Sequence, residues 1–209
     1  YPLAYVAAKL VLGQNLSEIK NQVTQVTQSF FEPALDYVAV KIPRWDLNKF
    51  DRISQRIGSS MKSVGEVMGL GRSFEEALQK AARMLNLGYL GVTDKIKIKD
   101  LKEELVKPTP NRLWALSEAL CRGIAVAELN RLTGIDPWFL ERIKLIVDEE
   151  AKISHFSQLK RGILLKLKQL GVADKRVGQL VKKTELEVRN LRKKLGIKPS
   201  IFQIDTLAG

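Results

Sequence analysis

The pattern of apolar and polar positions divides the chain into two stretches. Residues 1–92 mix helical and strand-like periods, whereas the sequence from Ile98 onward repeats at helical spacing. Leu3–Leu12 spaces its apolar side chains as a helix does, behind Pro2 as a favourable first-turn residue, and stops at Gly13. Asn15 or Ser17 can open a second short helix through LSEIKNQV. Asp36–Ile42 (DYVAVKI) is β-branched and apolar and predicts a strand ending at Pro43, and Ser63–Leu70 (SVGEVMGL) predicts another. Ser73 then caps the helix FEEALQKAARMLN, with Glu76 at capping-box spacing.

Beyond Ile98 the predicted helices are DLKEELVK, NRLWALSEALCRG, AVAELNRLTG and PWFLERIKLIVDEEAKI, the last opened by Asp136 with Pro137 in first position. SQLKRGILLKLKQLG follows, then KRVGQLVKK from Asp174, then ELEVRNLRKKLG, which Thr184 caps with Glu187 completing a capping box. Short helix, tight turn and longer helix recur in AVAELNRLTGIDPWFLERI and KRVGQLVKKTELEVRNLRK. Two copies are too few for a solenoid array. The close, IKPSIFQIDTLAG, reads as extended.

A length of 209 residues, 45% of them apolar and 28% charged, suits a globular protein able to bury a core without disulfides. Cys121 has no partner for an internal disulfide and lies in an apolar helical stretch, which predicts a small core residue. With His155 as the sole histidine, a conventional His/Cys zinc site is not expected. No stretch has the ~20 uncharged apolar residues that span a membrane. YPLAYVAAKLVLG is broken by Lys9 and lacks a basic n-region, so it is no signal peptide, and a cytoplasmic protein is expected. The start at Tyr1 and the uncapped QIDTLAG lead us to expect an internal piece of a longer chain.

The net charge of +12 is concentrated late, residues 154–209 holding 13 basic and 4 acidic side chains. ADKRVGQLVKKTELEVRNLRKKLG has the outline of a helix-turn-helix whose second helix offers Arg189, Arg192, Lys193 and Lys194 to nucleic acid. Those cations sit at the helix C-terminus, where they complement its dipole, while Glu185 and Glu187 occupy the end a DNA reader would use. Nucleic-acid binding is therefore the alternative function, not the leading one.

Signatures of catalysis are missing: P-loop, GxGxxG, HExxH and nucleophile elbow are all absent from the sequence. GLGR at Gly69–Arg72 resembles a phosphate cradle but lacks the third glycine and the lysine, and predicts a tight strand-to-helix turn. KIPRW at Lys41–Trp45 can hold an anion; alternatively, Trp45 packs on the sheet while Lys41 and Arg44 pair with Asp46 or Asp36. Glu66 shares a strand face with Val64 and Met68. Either that face borders water or a polar passage, or Glu66 has a cationic partner such as Lys62. Trp114, Trp138 and Phe139 are candidates for interface anchors or for the local core.

FFEPALDYVAVKIPRWDLNKF and IGSSMKSVGEVMGLGRSFEEALQKA together resemble the large chain of carbamoyl phosphate synthetase, over Phe31–Ala81. YPLAYVAAKL, GIDPWFLERI and KPSIFQIDTLAG are similar to further segments of that family, so the likeness reaches nearly the whole chain. It implies an α+β fold: residues 1–92 as the C-terminal part of the carboxyphosphate-forming ATP-grasp domain, a small α/β remnant; residues 93–199 as an all-α helical oligomerisation domain; and residues 200–209 as the start of the linker to the second synthetase half. KIPRWD beside MKSVGEVMG resembles the first half, since the second half's strand is more apolar and lacks KIPR.

The family's phosphate loop and acidic metal-binding strand have no counterpart in the sequence. No nucleotide, metal or catalytic residue is therefore transferred to this chain, and the chain alone is expected to bind no cofactor. The resemblance implies a parent ATP-dependent ligase using Mg (or Mn), with K as a further candidate ion. The parent makes carbamoyl phosphate from bicarbonate and ammonia through carboxyphosphate and carbamate. Its ammonia is free or comes from a partner glutamine amidotransferase chain or domain. The other implied contacts are the rest of the large chain and self-association through the helices. The GEVM strand lies near the family's internal passage, so the resemblance makes Glu66 a carbamate-passage lining residue.

Overall fold

A computed structural model describes residues 2–32, 35–49 and 52–204, the side chain of Asn48 excepted. The described chain forms two compact units, residues up to Tyr37 together with those from Ser200, and Val38–Pro199. Most of it is helical, with one two-stranded antiparallel sheet, so the α+β class holds.

In the first unit, α1 (Leu3–Val11) follows Pro2 and ends before Gly13, whose φ of +94° no helix continues. The expected second helix shrinks to a single 3₁₀ turn, Leu16–Glu18. Asn15 and Glu18 satisfy its start, and the chain then folds back through a bridge between Lys20 and Gln28.

The second unit opens with β1 (Val38–Arg44) and β2 (Gly65–Gly71), paired with Val38 opposite Gly71 and Arg44 opposite Gly65. β1 runs through Pro43 rather than stopping before it. Proline supplies no ladder donor, which an edge strand tolerates, and among the described residues β1 has β2 as its one neighbour. Val40 and Ile42 turn inward to the core, while Ala39 and Lys41 point out.

α2 (Phe74–Met84) lies across the inner face of β2. Ser73 caps it by accepting from Glu76 N–H (3.2 Å), but the Glu76 carboxylate accepts from Arg72 N–H (2.8 Å), one residue short of a full capping box. Gly69 and Gly71 sit within the strand and face this helix. A Cβ on Gly69 would lie 2.3 Å from the Ala77 carbonyl oxygen, and one on Gly71 2.7 Å from Ala77 N. GLGR is thus a close-packing surface for α2, rather than the tight turn expected from sequence.

The remaining helices are α3 (Leu101–Val106), α4 (Arg112–Cys121), α5 (Val126–Thr133), α6 (Pro137–Ala151), α7 (Arg161–Gln169), α8 (Asp174–Val181) and α9 (Glu185–Lys194). Their core runs continuously from Leu78 and Val92 through Leu116, Leu140 and Ile146 to Val177 and Val188. Cys121, expected in that core, is exposed at the end of α4.

The loose repeat seen in sequence is larger in space. α4–α5–α6 and α7–α8–α9 are two copies of one three-helix unit, offset by 48 residues. Gly123 and Gly171 end the first helix with φ of +82° and +81°, and Gly134 and Lys182 end the second with +71° and +55°. Asp136 and Thr184 then cap the third. Core positions coincide as well: Leu116 with Leu164, Leu129 with Val177, and Leu140 with Val188 are all buried pairs.

Candidate functional site

The outward face of the β1–β2 hairpin carries Ala39, Lys41 and Pro43 from one strand and Glu66, Met68 and Leu70 from the other. It is an apolar face with one charged pair in it. Lys41 Nζ lies 2.9 Å from the Glu66 carboxylate, with the two side chains 60% and 57% exposed. Neighbouring Val64 and Met68 are likewise more than half exposed. The cation that answers Glu66 is therefore Lys41, not Lys62, whose Nζ donates to the Ser54 and Arg56 carbonyls at 3.0 and 2.8 Å. Strand alternation places Lys41 on an outward face, but only the register across the connection brings it to Glu66.

The rest of KIPRW is structural. Arg44 pairs with Asp46 (3.3 Å), as one expectation had it, and also donates to the Leu85 carbonyl (3.1 Å) at the end of α2. Trp45, with Ile42, Phe74, Pro108 and Leu113, borders an apolar cavity of about 400 Å³ between β1, α2 and the α3–α4 turn.

A second charged assembly lies inside the helical region. Arg176 of α8 donates to Glu150 of α6 (2.7 Å), to Asp94 (3.1 Å) and to the Thr93 carbonyl (3.0 Å), while the Thr93 hydroxyl also donates to Glu150 (2.8 Å). The residues just before this loop are fixed to α2 and α4. Val92 N–H donates to Gln79 (2.8 Å), and Trp114 Nε1 donates to the Gly91 carbonyl (3.0 Å). Arg83 of α2 reaches the Gly171 carbonyl (2.8 Å), and burial lowers its pKa. Nothing local in the sequence marks Arg176, because its partners lie in distant segments.

Of the cations offered to nucleic acid, Arg192 is taken up internally. It donates to Asp174 (3.0 Å) and to the Ile197 carbonyl (3.0 Å), and Asp174 also pairs with Lys168 (2.8 Å). Arg189, Lys193 and Lys194 are exposed around a helix that opens with Glu185 and Glu187. No observation favours the nucleic-acid alternative.

Trp114 is buried, whereas Trp138 and Phe139 stand 51% and 43% exposed at the start of α6. Phe74 packs on both, with centroids 5.4 Å from each. Among the described residues no helix is long and apolar enough to cross a membrane, and no cluster of metal-ligating side chains occurs.

Fold and surface together define a duplicated three-helix module joined to a small two-stranded sheet. The family model for the carbamoyl-phosphate synthetase large chain, oligomerisation domain, matches residues 66–196, and the chain belongs to that family. It is 49% identical to multifunctional protein CAD of Squalus acanthias, with 100% of this chain aligned to 9% of the relative. It is 46% identical to the mitochondrial arginine-specific carbamoyl phosphate synthase large chain of Schizosaccharomyces pombe, and 45% to the mitochondrial carbamoyl-phosphate synthase [ammonia] of Mus musculus. Both alignments take in 100% of this chain and, respectively, 18% and 14% of the relative. The chain thus spans less than a fifth of the length of these relatives.

Proposed function

We propose that this chain is the association and connecting segment of a carbamoyl phosphate synthetase large chain, an ATP-dependent ligase acting on bicarbonate and ammonia. The observation that carries the reading is the family match over residues 66–196. In this reading residues 1–92 complete the C-terminal part of an ATP-grasp domain, residues 93–199 form the oligomerisation domain, and residues 200–209 lead into the second half. ATP and its Mg or Mn ions, with K as a candidate, bind elsewhere in the parent. A glutamine amidotransferase chain or domain supplies its ammonia, or ammonia is used free. The compartment is the cytoplasm or, as the names of two relatives state for those proteins, the mitochondrion. Glu66 lines the route by which carbamate leaves the first half.

The segment's own part is self-association, with Trp138 and Phe139 as its exposed aromatic anchors. Sedimentation of residues 1–209 across a concentration series tests this. A discrete dimer lost on Trp138→Ala is expected, without ATP binding. A monomer at all concentrations, or open-ended aggregates that Trp138→Ala leaves unchanged, overturns the association reading.

A further inference from the structure

We infer that Lys41 is a positioning residue of the carbamate route, the counter-ion that makes Glu66 compatible with passage of a small anion; this rests on the passage reading of Glu66. The inference starts from the outward hairpin face. Its other members, Ala39, Pro43, Met68 and Leu70, are apolar, and the pair Lys41–Glu66 is set among them with 2.9 Å between charged atoms. Exposed ion pairs of this kind add little to stability, so folding alone gives no reason for placing one there. If the rest of the large chain covers the face tightly, both charges lose their water at a cost that their mutual attraction offsets poorly. If the face borders a hydrated route, both stay solvated and the pair costs nothing.

The sign of the charge then decides what Lys41 does. A lone carboxylate on the wall of a narrow route repels an anion, and the repulsion grows as the walls exclude water. Lys41 cancels that field and supplies ammonium donors beside the Glu66 carboxylate, so a carbamate ion meets a wall that is neutral overall but able to hydrogen-bond. The same contact holds Glu66 toward β1.

The test uses the complete large chain with its ammonia source and reads carbamoyl phosphate formed per ATP hydrolysed, beside bicarbonate-dependent ATP hydrolysis alone. Lys41→Met is expected to lower that ratio on the order of tenfold, the scale of one uncompensated charge in a partly hydrated wall. Lys41→Arg should restore most of it, and Lys41→Met with Glu66→Gln should return the ratio to the Glu66→Gln value. A parallel loss of both activities in Lys41→Met, or a Lys41→Arg enzyme no better than Lys41→Met, overturns the inference. So does a Lys41→Met enzyme with the parent ratio. If Glu66→Gln alone lowers the ratio while Lys41→Met is silent, only the counter-ion role fails. If Glu66→Gln leaves the ratio unchanged, the passage reading fails and takes the role of Lys41 with it.

Discussion

The two three-helix copies reach one backbone by different chemistry. In α4–α6 the positions equivalent to the buried charges of the other copy are Leu120 and Val126, which join the core, and Lys144, which pairs with Asp148 near the surface (2.5 Å). In α7–α9 the same positions are Lys168, Asp174 and Arg192, a cluster closed at 2.8 and 3.0 Å. Arg176 has an equally sharp counterpart. Its equivalent is Glu128, which meets Arg131 in solvent, whereas Arg176 reaches across to Glu150 of the other copy. The lesson is that the copies share geometry through caps and turns, and differ where each must meet its surroundings.

Removing the reach across copies is the severest way to break this arrangement. Arg176→Ala leaves Glu150 and Asp94 without their buried cation, and a loss of about 3–5 kcal/mol is expected in denaturant unfolding. Glu128→Ala, its exposed equivalent, should leave the same unfolding transition essentially unmoved.

The paired glycines sharpen the comparison at a smaller scale. Gly123→Ala meets nothing within 4 Å and carries only the strain of φ +82°, about 1 kcal/mol. Gly171→Ala carries the same strain and also puts its Cβ 2.9 Å from the Glu76 Cα of α2. Overpacking against backbone raises the expected loss to about 3 kcal/mol. Equal melting shifts for the two variants would show that α2 gives way freely.

The smallest effect is expected from making one copy resemble the other. Lys168→Leu, Asp174→Val and Arg192→Met together replace the whole buried cluster by apolar side chains, strand no charge, and should stay within about 1 kcal/mol of the parent at neutral pH. Acid separates the two. Burial raises the Asp174 pKa, but hydrogen bonds from Lys168 and Arg192 outweigh it and hold the carboxyl below its usual 3.8. A depressed carboxylate contributes stability that is present above pH 3.8 and lost as pH falls through the folded value. The triple variant should therefore lose less stability than the parent in acid below that point, measured by urea unfolding at stepped pH.

Much of this was legible in sequence because caps and turns are local. Asp136 and Thr184 announce their helices through side chains two or three residues from the amides they bind. Pro43 misled because proline ends a central strand but not an edge strand, and edge status is a property of the sheet. The glycines of GLGR looked like a turn since the approach of α2 is tertiary. Cys121 belongs to an apolar run yet falls on the exposed side of its last turn. Glu66 stands out in sequence for its apolar neighbours, but its partner depends on the strand register, and the ties of Arg176 span 26 and 82 residues.

Pro43 has a further consequence. A strand with one free edge is a template on which foreign strands polymerise, and the danger is greatest before a nascent chain has found its own neighbours. An imino acid in such a strand carries no amide hydrogen to donate, so the ladder any newcomer could build is short by a rung whenever that position faces outward. The hairpin keeps its native partner because β2 pairs along the full strand from Val38 to Arg44. Along the edge of β1 that has no neighbour among the described residues, the proline stands where gatekeeper residues do, opposing chain-to-chain pairing.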